Sequence, residues 1–321
     1  MAAVTIRVDL HVHSEESYDS HEPVELILAH AAEIGLDAVV ITDHDTMSAS
    51  KRAASLAAEY GLIGIAGVEV STADGHLLAV GVDRMPPRRE SYAETVAWIH
   101  DHGGVAIVPH PFQRSRHGVR RSAIPVGDEH AAADAEPGVV VVGDETTSDG
   151  GDAGDAGDAG DAGDAGDTGD AAGAVEEIDA VEVFNAWLFT GYRNRRARRF
   201  AVTHGYPGVA ASDAHHLNYV GRAFTEVTVE GRDRVGDVTA EDVLAAIRAG
   251  TTRVDGKRAP VPMAAKHYVV AAVRRCEHYT RTGSARAIRA AADAAREAAS
   301  ITRVGGLQAA KRLRRAASWV R

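Results

Sequence analysis

The chain has 321 residues, 45% apolar and only 5% aromatic, which allows one barrel-sized domain plus a tail, or two ordinary domains, with a core of Val, Ile, Leu and Ala. A single cysteine, Cys276, excludes an internal disulfide framework and a cysteine-rich zinc knuckle. The net charge of −11 is unevenly placed: residues 122–192 hold 18 acids and no Lys or Arg, residues 264–321 hold 13 Lys and Arg against three acids, and the rest sums to −3.

From the start, MAAVTIRVDLHVHS has no basic segment leading into a long apolar run, and no later stretch reaches the roughly 18 apolar residues of a membrane span. A soluble, cytoplasmic protein with no membrane partner is expected. IRVDLHV, DAVVITD, LIGIAGVE, HLLAVGV, GVAIVPH, DAVEVFN and PGVAASD then follow as strand-like runs. Between several of them lie helical patterns, PVELILAHAAEIG, TMSASKRAASLAAEYG, ESYAETVAWIHDHGG and YRNRRARRFAVTHG. Pro23 suits a first helical turn, and Gly35, Gly61 and Gly103 suit positions just past helix ends. Seven strands alternating with helices predict parallel βα units closing into an α/β barrel.

The segment 151–170 is a Gly-Asp-Ala repeat without branched or aromatic apolar side chains. It cannot bury enough surface to offset the entropy of ordering, so a disordered insertion over about 126–175 is expected inside the domain. Its three-residue period lacks the apolar position of a nine-residue calcium-binding roll. A strand, FTEVTVEG, and a helix opened by Thr239 follow. The domain is expected to span 1–263. Residues 264–321 read as a basic, Ala/Arg-rich helical appendage.

The chemistry lies in where imidazoles and carboxylates fall. Asp9, His11 and His13 alternate at the end of the first strand, and residues two apart on a strand share a face, so both histidines can bind one ion. Asp43 and His44 end the second strand, Glu69 the third, His110 the GVAIVPH strand, and Asp213 and His215 the PGVAASDAH strand. Strand C-termini of parallel α/β folds converge on one face. Imidazole and carboxylate without thiolate suit zinc, manganese or iron, and a carboxylate such as Glu69 among histidines is a natural bridge between two ions.

DLHVHS, ITDHD, GVE, VPHP and SDAH, in this order, resemble the PHP family, named for its polymerase and histidinol phosphatase members, over about residues 6–230 apart from the insertion. The resemblance implies a distorted (β/α)7, TIM-like barrel binding two or three divalent metal ions (Mn, Zn or Fe). It implies hydrolysis of phosphate esters of small molecules or nucleic acids by metal-activated water. Carried over by motif, His11, His13, Glu69 and Asp213 would hold one ion, with Glu69 bridging to a second that His110 holds. Asp19, His44 and His215 would hold a third. His76 would join the second, although it precedes its apolar run where the other ligands follow theirs. Ser20 stands where the family more often has Gly after the Asp.

Asp43 is expected to orient a ligand imidazole. Phosphate clamps are expected among arginines near strand ends, with Arg114 and Arg222 as candidates. Arg195, Arg196, Arg198 and Arg199 read as a solvated basic helix, and Asn185 as a polar contact in the site. The expected partner is a small phosphorylated substrate or nucleotide, with nucleic acid engaged through the basic tail as the alternative. An amidohydrolase would normally add a metal-bridging Lys, and the strand ends offer none. A degenerate barrel would lose ligands that this chain retains.

Overall fold

The computed structural model describes residues 2–113, 117–126, 176–187 and 191–260. The Gly-Asp-Ala insertion, the basic tail and Arg114 lie outside the described residues. In chain order the elements are β1 (Ala3–Val12), α1 (Val24–Glu33), β2 (Ala38–Ile41), α2 (Ser48–Leu56), β3 (Gly67–Ser71) and β4 (His76–Val80). There follow α3 (Tyr92–Asp101), β5 (Val105–Val108), β6 (Ala180–Asn185), α4 (Tyr192–Thr203), β7 (Gly208–Ala211), β8 (Ala223–Glu230), α5 (Ala240–Arg248) and β9 (Thr252–Gly256). All seven expected strands form. Gly35, Gly61 and Gly103 take the left-handed conformation after helices, at φ 79°, 73° and 74°. Thr239 caps α5 reciprocally with Asp242.

The expected closed parallel barrel is replaced by two mixed sheets, ordered β2-β1-β8-β9 and β3-β4-β5-β6-β7. Two physical causes account for the difference. Only Thr72–Gly75 separate β3 from β4, far too few residues for a parallel crossover, so β3, β4 and β5 run antiparallel to one another in succession. On the other side β8 pairs antiparallel with β1 from Ala3↔Glu230 to Val8↔Thr225, taking the β1 edge that β7 would need for closure. The two sheets meet through isolated parallel bridges, Val12↔Ala214 and His44↔Glu69.

Those bridges lie at the ligand-bearing ends of the strands. Below them Ile6, Val8, Leu78, Ile107, Val209 and Val227, drawn from both sheets, pack in one buried cluster. The apolar faces of α1 and α2 cover β2, and α3 and α4 lie over the second sheet. The apolar interior thus sets the strands, and the strand ends carry most of the buried polar groups.

Candidate metal centre

β1 delivers His11, His13 follows directly after it, and the loop beyond delivers Asp19. His44 follows β2, Glu69 lies in β3, His110 follows β5, and Asp213 and His215 follow β7. His76 opens β4. Because β4 is antiparallel, its first residue reaches the same end of the molecule as the last residues of the parallel strands, and so His76 precedes its apolar run in sequence. The structure brings all nine residues into four overlapping groups: His13, Asp19, His44 and His215; His11, Glu69 and His110; His11, His13 and Asp213; and His44, Glu69 and His76. Within each group the ligand atoms lie within 4.8 Å of one another. All are buried apart from half-buried His44.

Glu69 is the hub. Its Oε2 lies 3.2 Å from His11 Nε2, 3.3 Å from His13 Nε2 and 3.1 Å from His44 Nδ1, and its Oε1 lies 2.6 Å from His76 Nδ1 and 3.1 Å from His110 Nε2. Asp213 Oδ1 lies 3.6 Å and 3.5 Å from the Nε2 atoms of His11 and His13. Asp19 Oδ2 faces His44 Nε2 at 3.4 Å and His215 Nε2 at 3.2 Å. His215 Nδ1 donates to the Asp213 carbonyl at 2.9 Å, which turns the Nε2 lone pair toward the cluster.

The electrostatics ask for cations at the centre. Burial pulls His11 and His13 down, but the carboxylates of Asp213 and Glu69 outweigh it, holding His11 well above its ordinary range and His13 at about 9. Burial pushes Glu69 and Asp19 up, but the surrounding imidazoles hold both well below the usual carboxylate range. Burial dominates at His215, which falls to about 4 and is neutral. Protons alone answer this demand poorly, because His11 Nε2 and His13 Nε2 are 3.1 Å apart and two N–H groups cannot point into that gap. Two lone pairs aimed at a shared cation can. The donor set therefore fits divalent ions bound by imidazole and carboxylate.

The surrounding residues hold this geometry. Glu182, on β6, is buried and accepts from three donors: His11 Nδ1 at 3.2 Å, the His110 backbone N–H at 2.5 Å and Asn185 Nδ2 at 3.0 Å. Sequence reasoning missed it, although a lone carboxylate inside the apolar run DAVEVFN was a usable signal. Asn185 Nδ2 also donates to Asp213 Oδ2 at 3.0 Å. His110 and Asp213 both sit at positive φ, 28° and 54°, a costly conformation for non-glycine residues. His110 is held there through its N–H on Glu182, and Asp213 by Trp187 Nε1, which donates to its carbonyl at 2.5 Å.

Other expected residues take different places. Asp43 was expected to orient an imidazole, but its carboxylate accepts from Ser14 N at 2.6 Å and Ser14 Oγ at 2.5 Å, fixing the turn after β1. Arg222 donates to the Arg258 carbonyl at 2.9 Å, tying its loop to the chain after β9. The Ser20 hydroxyl donates to the carbonyls of His13 and His215, so the departure from Gly adds a tie between two ligand-bearing segments. On α4, Arg193 donates to the carbonyl of Phe112, two residues beyond His110. Arg195, Arg196 and Arg199 are exposed, and Arg198 is half-buried.

The PHP domain model matches residues 9–111 and the PHP-associated model residues 191–252. An uncharacterised protein of Methanocaldococcus jannaschii is 32% identical over 117 residues, 33% of this chain and 68% of that protein. A phosphoribosyl 1,2-cyclic phosphate 1,2-diphosphodiesterase of Eggerthella lenta is 35% identical over 85 residues, 25% of this chain and only 32% of its own length. PsfC from Pseudomonas syringae, a solved structure, is 16% identical with a TM-score of 0.49, covering 86% of this chain and 99% of that one. Among the described residues no helix is long and apolar enough to cross a membrane. Both matched segments carry candidate ligands of the centre, and the chain belongs to the PHP family.

Proposed function

We propose that the chain is a metal-dependent phosphoesterase that hydrolyses a small phosphomonoester or nucleotide. The observation that carries this reading is the overlap of the four ligand groups on His11, His13, His44 and Glu69. Ligands shared in this way would hold divalent ions as neighbours, which suits in-line displacement at phosphorus. The E. lenta relative, named as a diphosphodiesterase, supports action on a phosphate ester bond.

Divalent ions held by these residues would supply a nucleophile at neutral pH and neutralise charge on the phosphoryl oxygens. The chain's residues do the rest. Glu69 and Asp213 balance the positive charge, and the carbonyl of Asp213 keeps His215 in the tautomer that presents Nε2. Glu182 does the same for His11 by accepting from Nδ1. The apolar clusters beneath the ligands keep bulk water from that side of the centre.

The test is to purify the full chain, measure bound metal, and assay p-nitrophenyl phosphate, nucleoside bisphosphates and short oligonucleotides with Mn²⁺. Turnover of the ester or nucleotides that is lost in His11→Ala and Asp213→Ala supports the proposal. Bound metal without turnover of any of these contradicts the phosphoesterase reading. Cleavage confined to oligonucleotides would favour nucleic acid as the substrate.

A further inference from the structure

Glu182 is one carboxylate with three buried donors, and each donor belongs to a different strand of the centre. His11 is on β1, the His110 N–H follows β5, and Asn185 ends β6 and passes the connection on to Asp213 after β7. Asn185 is fixed in turn. Its backbone N–H donates to Asn194 Oδ1 at 3.1 Å, its carbonyl accepts from Asn194 Nδ2 at 3.1 Å, and its Oδ1 accepts from Trp187 N at 2.9 Å. The first turn of α4 therefore locks the amide that joins Glu182 to Asp213.

From this arrangement we infer that Glu182, with Asn185, is a shared positioning residue that sets the His11 tautomer and couples the affinities of two ion sites. The two sites are the His11–His13–Asp213 group and the His11–Glu69–His110 group. The inference rests on the metal-centre reading above and extends it to residues that bind no ion themselves. A carboxylate is required because all three neighbours donate. A Gln at 182 has one acceptor oxygen and would turn its amide N–H toward at least one of them. If that neighbour is His11, the ring must present Nδ1 as an acceptor, which moves its proton to Nε2, the atom facing Glu69 and Asp213. If it is His110, the strained backbone at φ 28° loses its partner. No residue of the group His13–Asp19–His44–His215 donates to Glu182, and this group serves as an internal control.

The experiment strips the full-length protein with chelator and titrates it with Mn²⁺ by electron paramagnetic resonance, without substrate. In parallel, ¹⁵N shifts report the His11 tautomer and thermal midpoints report the fold. Glu182→Gln should weaken two binding steps by roughly 10–100-fold and leave a third unchanged, with the His11 shifts altered. Asn185→Ala should weaken chiefly the step that depends on Asp213. Wild-type binding steps in both variants overturn the inference, as does an equal loss at every step. If Glu182→Gln does not fold, Asn185→Ala decides alone, and wild-type affinity there overturns it. Absence of Mn²⁺ binding in the wild type would instead overturn the metal-centre reading, so the two failures are distinguishable.

Discussion

The β1–β6–β7 side of the ligand cluster and its Asp19 side are held by different means. On the first side, ligands stand on or directly after strands and are tied by charged or amide groups, Glu182 to His11 and His110, and Asn185 to Asp213. On the second, Asp19 sits in a loop held by hydroxyls. Ser17 Oγ donates to Asp19 Oδ1 at 2.8 Å, Ser20 Oγ reaches two carbonyls, and the Tyr18 ring stacks on His44 at 4.8 Å. On the strand side His11 and His110 bond the Glu182 carboxylate and Asn185 bonds Asp213, whereas the loop side has one bond on a carboxylate, from Ser17, and neutral ones from Ser20. Bonds to charged groups are the stronger, so the strand side should be preformed and the loop side should depend more on the ion it holds.

Glu69 joins the two sides, so its loss should have the largest effect. Glu69→Gln removes the carboxylate that faces five imidazoles and should cost more than the ~100-fold in metal affinity typical of an outer partner, measured by competition with a chromophoric chelator. Asp19→Asn should cost less and act locally. It should remove the most weakly bound ion while the others stay, read as a drop in metal per chain after gel filtration. Loss of all ions in Asp19→Asn would erase the distinction between the sides.

The next effect concerns the fold behind the strand side. Asp9 is fully buried and accepts from Ser212 N at 3.0 Å and Gly221 N at 2.8 Å, linking β1 to the segments that flank Asp213. Burial raises it to about 6. Asp9→Asn replaces one acceptor oxygen with an N–H facing another N–H and should cost ~1–3 kcal/mol in urea unfolding. Because the folded value lies above the ordinary carboxylate value of 3.8, this group favours the fold fully below that value. Its contribution is lost as pH rises through about 6.

The smallest effect lies away from the centre, at His100 on α3. Its Nδ1 meets Glu176 at 2.6 Å and its Nε2 meets Asp179 at 2.8 Å, a pairing that needs both nitrogens protonated. Asp179 leads the causes that raise it to about 8 from 6.5. The contribution is complete below pH 6.5 and is lost as pH rises through about 8. His100→Gln should therefore cost ~0.5 kcal/mol at pH 6 and nothing measurable at pH 9.5 in paired urea titrations.

The strands and most candidate ligands were legible because each strand is a short apolar run and most of these residues interrupt or end one. His11, His13, Glu69, His110, Asp213 and His215 all follow that rule. Sheet pairing was less legible, since Val and Ile runs look alike in parallel and antiparallel neighbours. The four residues between β3 and β4 carried the signal that this pair reverses. That reversal is also why His76 breaks the rule, and Asp19 breaks it because it sits in the loop after β1. Glu182 was hidden by the opposite problem. It sits mid-strand, and only the three-dimensional meeting of β1, β5 and β6 shows what it holds. Asp43 misled because adjacency to His44 in sequence says nothing about which group its oxygens face, and they face Ser14.

The central claim is that nine side chains form one polynuclear cation centre. The most direct test is metal content of the full chain after saturation with Mn²⁺ and removal of free ion, measured by inductively coupled plasma mass spectrometry beside a Glu69→Gln control. The wild-type chain should hold two or three equivalents, and the control should lose more than one. Less than one equivalent in the wild type, or an unchanged count in Glu69→Gln, would contradict it.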